Sequence, residues 1–179
     1  MNKITYYIIA LNALMFGAQQ LFYPITWVLG MNFMFLDFNL WYQPLSSMFL
    51  HGSLMHLVMN MAVLFQFGTM IETHLGKRFF LISYFVGGVV TAILSLFVLL
   101  FIAPDGNMIG ASGAISVLFG LFGFYNREYL KGLVLSIALM SFVPLLLGVN
   151  VAWYAHIIGF ALGLAMGFVH YKRRLANDL

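Results

Sequence analysis

Residues 79–102 read FFLISYFVGGVVTAILSLFVLLFI and contain no charged side chain. A helix of about 20 apolar residues crosses the ~30 Å hydrocarbon core of a bilayer, so this run is long enough to span it. The whole chain has a similar character, with 63% hydrophobic and 7% charged residues and a mean hydropathy of +0.99. Soluble domains contain about 25% charged residues. The sequence therefore predicts an integral membrane protein.

Further apolar runs lie on both sides of this one, and none shows the two-residue alternation of a half-buried strand. Hydropathy predicts six transmembrane helices in an all-α polytopic bundle, forming one domain over residues 1–179. We expect the helices at approximately 4–23, 53–71, 79–102, 112–126, 132–149 and 152–171. The aromatic-rich, almost uncharged segment 24–50 is expected to be an interfacial loop at the membrane surface.

The eight lysines and arginines lie at the two ends of the chain or in the gaps after the second and fourth predicted spans. Cytoplasmic loops of membrane proteins are enriched in these residues, so both termini are predicted to be cytoplasmic. This distribution accounts for the net charge of +3, and we expect no nucleic-acid partner. The residues are Lys3, Lys77, Arg78, Arg127, Lys131, Lys172, Arg173 and Arg174.

Polar side chains are costly inside a bilayer, so those within predicted spans are candidate functional residues. Ser112 precedes Arg127 by 15 residues and His156 precedes Lys172 by 16. At 1.5 Å per helical residue, both side chains lie ~22 to 24 Å above the cytoplasmic boundary, at a shared depth. A helix that begins at Ser112 is then too short to span. The segment 103–110 should enter the protein as irregular chain beside a water-accessible cavity.

Small residues recur every four positions on the fourth and sixth predicted helices, and such faces let two membrane helices approach closely. The first set is Ser112, Ser116 and Gly120, and the second is Gly159, Gly163 and Gly167. His156 precedes Gly159 by one helical turn, so docking of the two faces would bring its imidazole toward the hydroxyl of Ser112.

A serine hydroxyl becomes a nucleophile when a neutral imidazole takes its proton, and Ser112 with His156 supplies this pair. No Asp or Glu lies in a span at that depth, so the pair is predicted to be a dyad. Backbone N–H groups at the start of the helix, together with His56 and Asn60, could stabilise an oxyanion.

Other chemistries fit the sequence less well. Cysteine is absent, which excludes disulfides and thiolate ligands. There is no HExxH motif, and the five-residue spacing of His51 and His56 suits a zinc site poorly. An aspartyl protease would need paired Asp residues within the spans. A carrier that uses His56 and His156 as a relay would be expected to show an inverted repeat, which is not evident.

Three motifs in order along the chain resemble those of the rhomboid intramembrane serine proteases, in their minimal six-helix bacterial form. They are HGSLMHLVMN at 51–60, GASG at 110–113 and AHIIGFALG at 155–163. The resemblance implies that Ser112 is the nucleophile and His156 the general base. It also implies oxyanion stabilisation by His56, Asn60 and the Ser112 amide. The residues with implied structural roles near the site are His51, Gly110, Gly113, Gly159 and Gly163.

The resemblance further implies hydrolysis of a peptide bond in or near the outer end of transmembrane segments, in single-span membrane-protein substrates. A small residue before the cut, no cofactor, no metal and a monomer sufficient for catalysis are expected. The setting would be membrane lipid in a bacterial cytoplasmic membrane, with the site opening to the outer side.

Access would involve movement of the helix at 132–149 and of the segment 103–109. Two alternatives remain: a catalytically inactive rhomboid-like protein that binds membrane helices, and a small transporter.

The chain departs from the family pattern at two places. Ser116 stands where the family often has a tyrosine that stacks on the catalytic histidine, which leaves Phe119 or Phe160 as candidate aromatic supports for His156. The loop motif Trp-Arg is replaced by Tyr42 and Gln43, so the family's contacts in this loop are not expected to transfer.

Overall fold

The computed structural model describes residues 3–177, and within this range it contains helices and no strands. The all-α prediction is therefore confirmed. Residues 1, 2, 178 and 179 of the predicted domain lie outside the described part of the chain. The helices are α1 (Lys3–Leu21), α2 (Ile25–Leu29), α3 (Met34–Asp37), α4 (Gln43–Ser46), α5 (Leu54–Val63), α6 (Thr69–Leu75), α7 (Lys77–Leu81), α8 (Gly87–Ile102), α9 (Ser112–Tyr125), α10 (Leu130–Leu146) and α11 (Trp153–Asn177).

Some of these helices are continuous, because π-helical turns at Leu64–Gly68 and Ile82–Val86 join α5 to α6 and α7 to α8. Four helices within residues 3–177 are long and apolar enough to cross a membrane. They are Leu54–His74, Lys77–Ile102, Arg127–Leu146 and Trp153–Ala176. Helix α9 is apolar but has only 14 residues, so it is too short to span. The count of six spanning helices remains a prediction.

Helix boundaries differ from the sequence prediction at several places. Helix α10 ends at Leu146 rather than 149, because Gly148 turns the chain at a φ of 76°. Helix α11 continues past 171 to Asn177, since the lysine and arginines that follow are good helix formers. The segment 24–50 is not a simple loop, because it contains three α-helices and the 3₁₀ turn Ser47–Phe49.

Helix α9 lies at the centre of the bundle, with every side chain from Ala114 to Leu121 buried. It packs against α11 with almost no space between the backbones. A Cβ added at Gly120 or Gly163 would collide with a backbone carbonyl of the other helix, and one at Gly159 would lie 2.5 Å from the carbonyl of Gly113. The small-residue faces of the two helices therefore meet, which fixes the relative position of Ser112 and His156.

Helix α1 is attached to the bundle by polar contacts near both of its ends. The buried carboxylate of Glu72 accepts hydrogen bonds from the Thr5 amide at 3.1 Å and the Thr5 hydroxyl at 2.7 Å. A carboxylate at a helix N-terminus satisfies free N–H groups and interacts favourably with the helix dipole. At the other end, Gln19 holds the backbone of His51, with its Oε1 accepting from the His51 amide at 2.9 Å.

Candidate active site

Ser112 is the first residue of α9, and the chain before it is irregular. Gly110 has a φ of 129°, a conformation that side chains rarely allow, and its amide donates to the Ser47 carbonyl at 2.9 Å. The helix begins immediately afterwards, and no side chain caps it. The N–H groups of its first turn therefore lack the usual side-chain acceptor.

Ser112 and His156 are brought together as the sequence predicted. The distance between Ser112 Oγ and His156 Nε2 is 3.0 Å, which is hydrogen-bonding distance. His156 is buried, whereas Ser112 is partly exposed. When Nε2 accepts the serine proton, Nδ1 must carry the other hydrogen of the neutral ring. The geometry therefore permits His156 to act as a base toward Ser112.

The sequence analysis missed the residue on the other side of His156. Ser141 of α10 is fully buried, and its Oγ lies 3.0 Å from His156 Nδ1. The signal was present in the sequence, because Ser141 is a polar residue within a predicted span, which is the criterion that selected Ser112.

Neither candidate aromatic support, Phe119 or Phe160, forms a ring stack with His156. Within residues 3–177, no aromatic ring stacks on this imidazole. Phe119 instead packs against Phe67, with ring centroids 4.5 Å apart. The hydroxyl of Ser116 donates to the Ser112 carbonyl at 2.8 Å, so it points back along its own helix.

His56 and Asn60 lie one helical turn apart on the same face of α5. The His56 amide donates to the Ser53 hydroxyl at 3.1 Å, which begins the helix. A Cβ added at Gly110 would lie 2.9 Å from Cε1 of His56 and 3.7 Å from Ser112 Oγ, so the imidazole is next to the serine. The Nδ2 of Asn60 is buried without a hydrogen-bond acceptor among the described residues. This free donor suits a developing oxyanion.

His51 occupies a packing position beside His56. The two rings meet edge to face, with centroids 5.0 Å apart. Both ring nitrogens of His51 are buried and lack partners within residues 3–177. Burial, with a smaller contribution from His56, lowers the pKa of His51 to about 3. The ring is therefore neutral at physiological pH.

A cavity of about 40 Å³ adjoins Ser112. Its polar lining includes Ser47, Thr91 and Ser95, and the hydroxyl of Ser95 is buried without a partner among the described residues. A cavity of this size has room for a water molecule. A cavity thus adjoins the irregular chain, and its depth in the membrane and access to water stay predictions.

The irregular segment 103–110 is hydrogen-bonded to the 24–50 region through Asn107 and Met108. Met31 and Met108 exchange backbone hydrogen bonds of 2.9 and 2.8 Å. The side chain of Asn107 donates to the Thr26 carbonyl at 2.8 Å and accepts from Asn32 at 3.0 Å. These contacts tie Asn107 and Met108 to the 24–50 region. The expected movement of residues 103–109 stays a prediction.

Comparisons with known proteins agree with this architecture. The family model for the Rhomboid domain matches residues 39–173. "Rhomboid protease GlpG" of Haemophilus influenzae is 30% identical over 186 residues, covering 97% of this chain and 93% of that protein. "Putative rhomboid protease YdcA" of Bacillus subtilis is also 30% identical, over 149 residues, covering 75% of this chain and 69% of that protein.

A mitochondrial relative, "Rhomboid protein 1, mitochondrial" of Saccharomyces cerevisiae, is 30% identical over 185 residues. The alignment covers 99% of this chain but 51% of the yeast protein, so the chain spans about half the length of that relative. Taken with the domain match, these similarities show that the chain belongs to the rhomboid family. It is an integral membrane protein of that family.

Proposed function

We propose that this protein is an intramembrane serine endopeptidase in which Ser112 is the nucleophile and His156 the general base. The observation that carries the proposal is the 3.0 Å separation of Ser112 Oγ and His156 Nε2. The two residues come from helices whose backbones are in contact through glycines, so the pair is held by rigid elements. Similarity to proteins named as rhomboid proteases supports the same activity.

In the first half of the reaction, His156 Nε2 takes the proton of Ser112 as Oγ attacks the carbonyl carbon of the scissile peptide bond. The carbonyl oxygen gains a negative charge, and we assign its stabilisation to the Ser112 amide, His56 and Asn60. The imidazolium then gives its proton to the departing amine as the C–N bond breaks. The products of this half are an ester on Ser112 and a free amine.

In the second half, a water molecule gives a proton to His156 Nε2 and attacks the ester carbonyl. The C–O bond to Ser112 breaks, Oγ regains a proton from the imidazolium, and the product leaves as a carboxylic acid that then loses its proton to water. No cofactor or metal is required for either half. The cavity beside Ser112 has room for this water, and Ser47, Thr91 and Ser95 supply polar groups in its largely apolar wall.

We propose transmembrane protein substrates, with a single span and a small residue before the cut. The peptide bond would be in or near the outer end of that span. The proposed setting is a bacterial cytoplasmic membrane, with cytoplasmic termini, a site that opens to the outer side, and a monomer sufficient for catalysis. We also propose that residues 1–179 form one domain. The basic residues in the chain support this orientation.

The test uses the full chain reconstituted in liposomes with a single-span membrane protein. We expect cleavage by the wild-type protein, and a loss of at least about a thousandfold for Ser112→Ala and for His156→Ala, because residues of a catalytic pair act as a unit. Mass spectrometry of the products locates the cut. Cleavage that persists in either variant would contradict the mechanism.

Two other results would assign a different function. Binding of a transmembrane helix without cleavage by the wild-type protein would identify an inactive rhomboid-like protein. Solute flux into the liposomes that depends on His56 would identify a transporter. In either case the protease proposal fails.

A further inference from the structure

Helix α10 contacts the rest of the bundle through a narrow face. Its buried residues are Leu133, Ile137 and Ser141, which recur every four positions along one side of the helix. Most of its other large apolar side chains are exposed. Ser141 is the last residue of this buried stripe, three residues before Pro144, which lacks an N–H for the helix ladder.

Ser141 makes the one side-chain hydrogen bond from α10 to another element among residues 3–177. Its Oγ is 3.0 Å from His156 Nδ1, whereas the hydroxyl of Ser136 on the same helix donates to the Gly132 carbonyl of its own helix at 2.9 Å. Ser141 is fully buried, so water does not compete for this contact. His156 therefore lies between two serine hydroxyls from different helices.

If His156 takes the proton of Ser112 at Nε2, its own hydrogen must be on Nδ1. A neighbouring hydrogen-bond acceptor is needed to favour that tautomer. In serine proteases with a triad, a carboxylate accepts from Nδ1–H and orients the ring. Among the described residues no carboxylate is hydrogen-bonded to His156 and no aromatic ring stacks on it. The one group beside Nδ1 is Ser141 Oγ.

We propose that Ser141 is a positioning residue that fixes the tautomer and orientation of His156. Its Oγ accepts a hydrogen bond from Nδ1–H, which leaves the lone pair of Nε2 directed at Ser112. When Nε2 takes the serine proton, Nδ1 keeps its hydrogen and the same bond stabilises the imidazolium. Ser141 thus replaces the carboxylate of a triad with a neutral oxygen. The inference rests on the proposed protease activity and names a further residue for it.

The position of Ser141 also links the base to helix α10. Displacement of α10 by a few ångströms would break the bond at Nδ1, since hydrogen bonds weaken steeply with distance and angle. His156 is therefore correctly oriented only when the outer part of α10 is packed against α11. If a substrate displaces α10 as it enters, α10 must pack against α11 again before Ser112 can attack.

The test compares Ser141→Thr with Ser141→Val, which have the same shape and differ in the hydroxyl. We expect the Val variant to have a kcat about tenfold lower than the Thr variant, the change expected from loss of one neutral hydrogen bond, with a similar KM. Ser141→Ala should behave as the Val variant does. Ser136→Ala is the matched control on the same helix and should cleave at the wild-type rate.

A second measurement does not depend on how well the larger side chains fit. In ¹⁵N-histidine-labelled wild-type protein in micelles, the nitrogen shifts of His156 should report hydrogen on Nδ1. In Ser141→Ala the Nε2–H tautomer should become populated. These shifts record the ring directly, so they distinguish orientation of the base from a general loss of packing.

Equal kcat values for the Thr and Val variants overturn the inference, as does an unchanged tautomer in Ser141→Ala. Both outcomes leave the protease proposal intact, provided that Ser112→Ala is inactive. An active Ser112→Ala instead removes the proposed function itself, whatever the Ser141 variants do.

Discussion

Gly110 constrains the candidate site although it has no reactive group. Its φ of 129° lies in a region that favours glycine, and an added Cβ would be 2.9 Å from Cε1 and 3.1 Å from Nε2 of His56. Gly110 therefore determines both the backbone turn that presents Ser112 and the position of the His56 ring. A side chain at this position has to disturb one or the other.

Gly110→Ala should reduce cleavage by about 10- to 100-fold, because the methyl group displaces the His56 imidazole from its place next to Ser112. Left-handed backbone strain and overpacking should also lower the free energy of unfolding by about 1–3 kcal/mol. The measurements are kcat/KM in liposomes and chemical unfolding in micelles.

Gly76→Ala separates the two effects of that substitution. Gly76 has a φ of 87° but no atom within 4 Å of an added Cβ, and it lies between α6 and α7. This variant should show the backbone strain, with about 1–2 kcal/mol of destabilisation, and should keep its activity. Similar activity loss in both variants would mean that strain, not contact with His56, explains the result at Gly110.

The sequence identifies residues whose chemistry is unusual in a membrane, but it does not identify their partners. Ser112 and His156 were predictable as a pair because their depths and small-residue faces coincide. Ser141 and His156 come from helices whose relative rotation is set by packing of apolar side chains. Sequence periodicity alone does not provide that rotation. The sequence therefore marks Ser141 as a polar residue within a span but does not identify it as the partner of Nδ1.

Among the elements, α9 and α11 form the closest pair. Gly120 faces the Phe160 carbonyl, Gly163 faces the Val117 carbonyl, and Gly159 faces the Gly113 carbonyl. Lipid provides no hydrophobic driving force between helices, so van der Waals packing at this distance is a main source of association. The same contact sets the Ser112–His156 distance, and stability and catalysis therefore depend on one interface.

Gly163→Ala should separate α9 from α11 at their midpoint. The added methyl would collide with the Val117 carbonyl, and backbone atoms cannot move aside as a flexible side chain does. We expect destabilisation of about 1–3 kcal/mol and a loss of activity greater than the loss of folded protein. Thermal unfolding and cleavage by the folded fraction measure the two effects.

Gly17→Ala is the control for that substitution, because Gly17 is within α1 and an added Cβ meets nothing within 4 Å. Replacement of a helical glycine by alanine at an open position should stabilise the protein by about 0.5–1 kcal/mol. If Gly163→Ala were as stable and as active as Gly17→Ala, the glycine contact would not determine the site geometry.

The short helices between residues 24 and 50 were not predictable in the same way as the long ones. Helices α2, α3 and α4 have four or five residues each, too few for a hydrophobic period to be visible. Their packing depends on polar contacts such as the partly buried hydrogen bond from Gln43 Nε2 to the Val28 carbonyl, 3.2 Å long. Contacts between residues distant in the chain leave no local pattern.

In the whole molecule, the two segments of chain near Ser112 differ in how firmly they are held. Residues 103–110 are bonded to the 24–50 region through Met31, Met108 and Asn107. The connection between α10 and α11 is largely exposed and includes Gly148 at positive φ. We therefore expect access to the site on the α10 side rather than by movement of residues 103–110.

A reversible cross-link tests whether residues 103–110 must move during turnover. The chain contains no cysteine, so Met31→Cys with Met108→Cys introduces a single pair. Met31 and Met108 form an antiparallel bridge with two mutual hydrogen bonds, for which a Cα separation of about 5.5 Å is typical, and a disulfide accommodates that distance. If residues 103–110 stay in place during turnover, the oxidised and reduced forms should cleave substrate at the same rate.

The reduced double variant is its own control, because oxidation changes only the bond and leaves the substitutions in place. A rate that falls at least about tenfold on oxidation and returns with a reductant would show that residues 103–110 must move. Equal rates would leave α10 as the element whose position varies during the reaction. Because α10 also carries Ser141, the opening that admits a substrate would then be coupled to the hydrogen bond that orients His156.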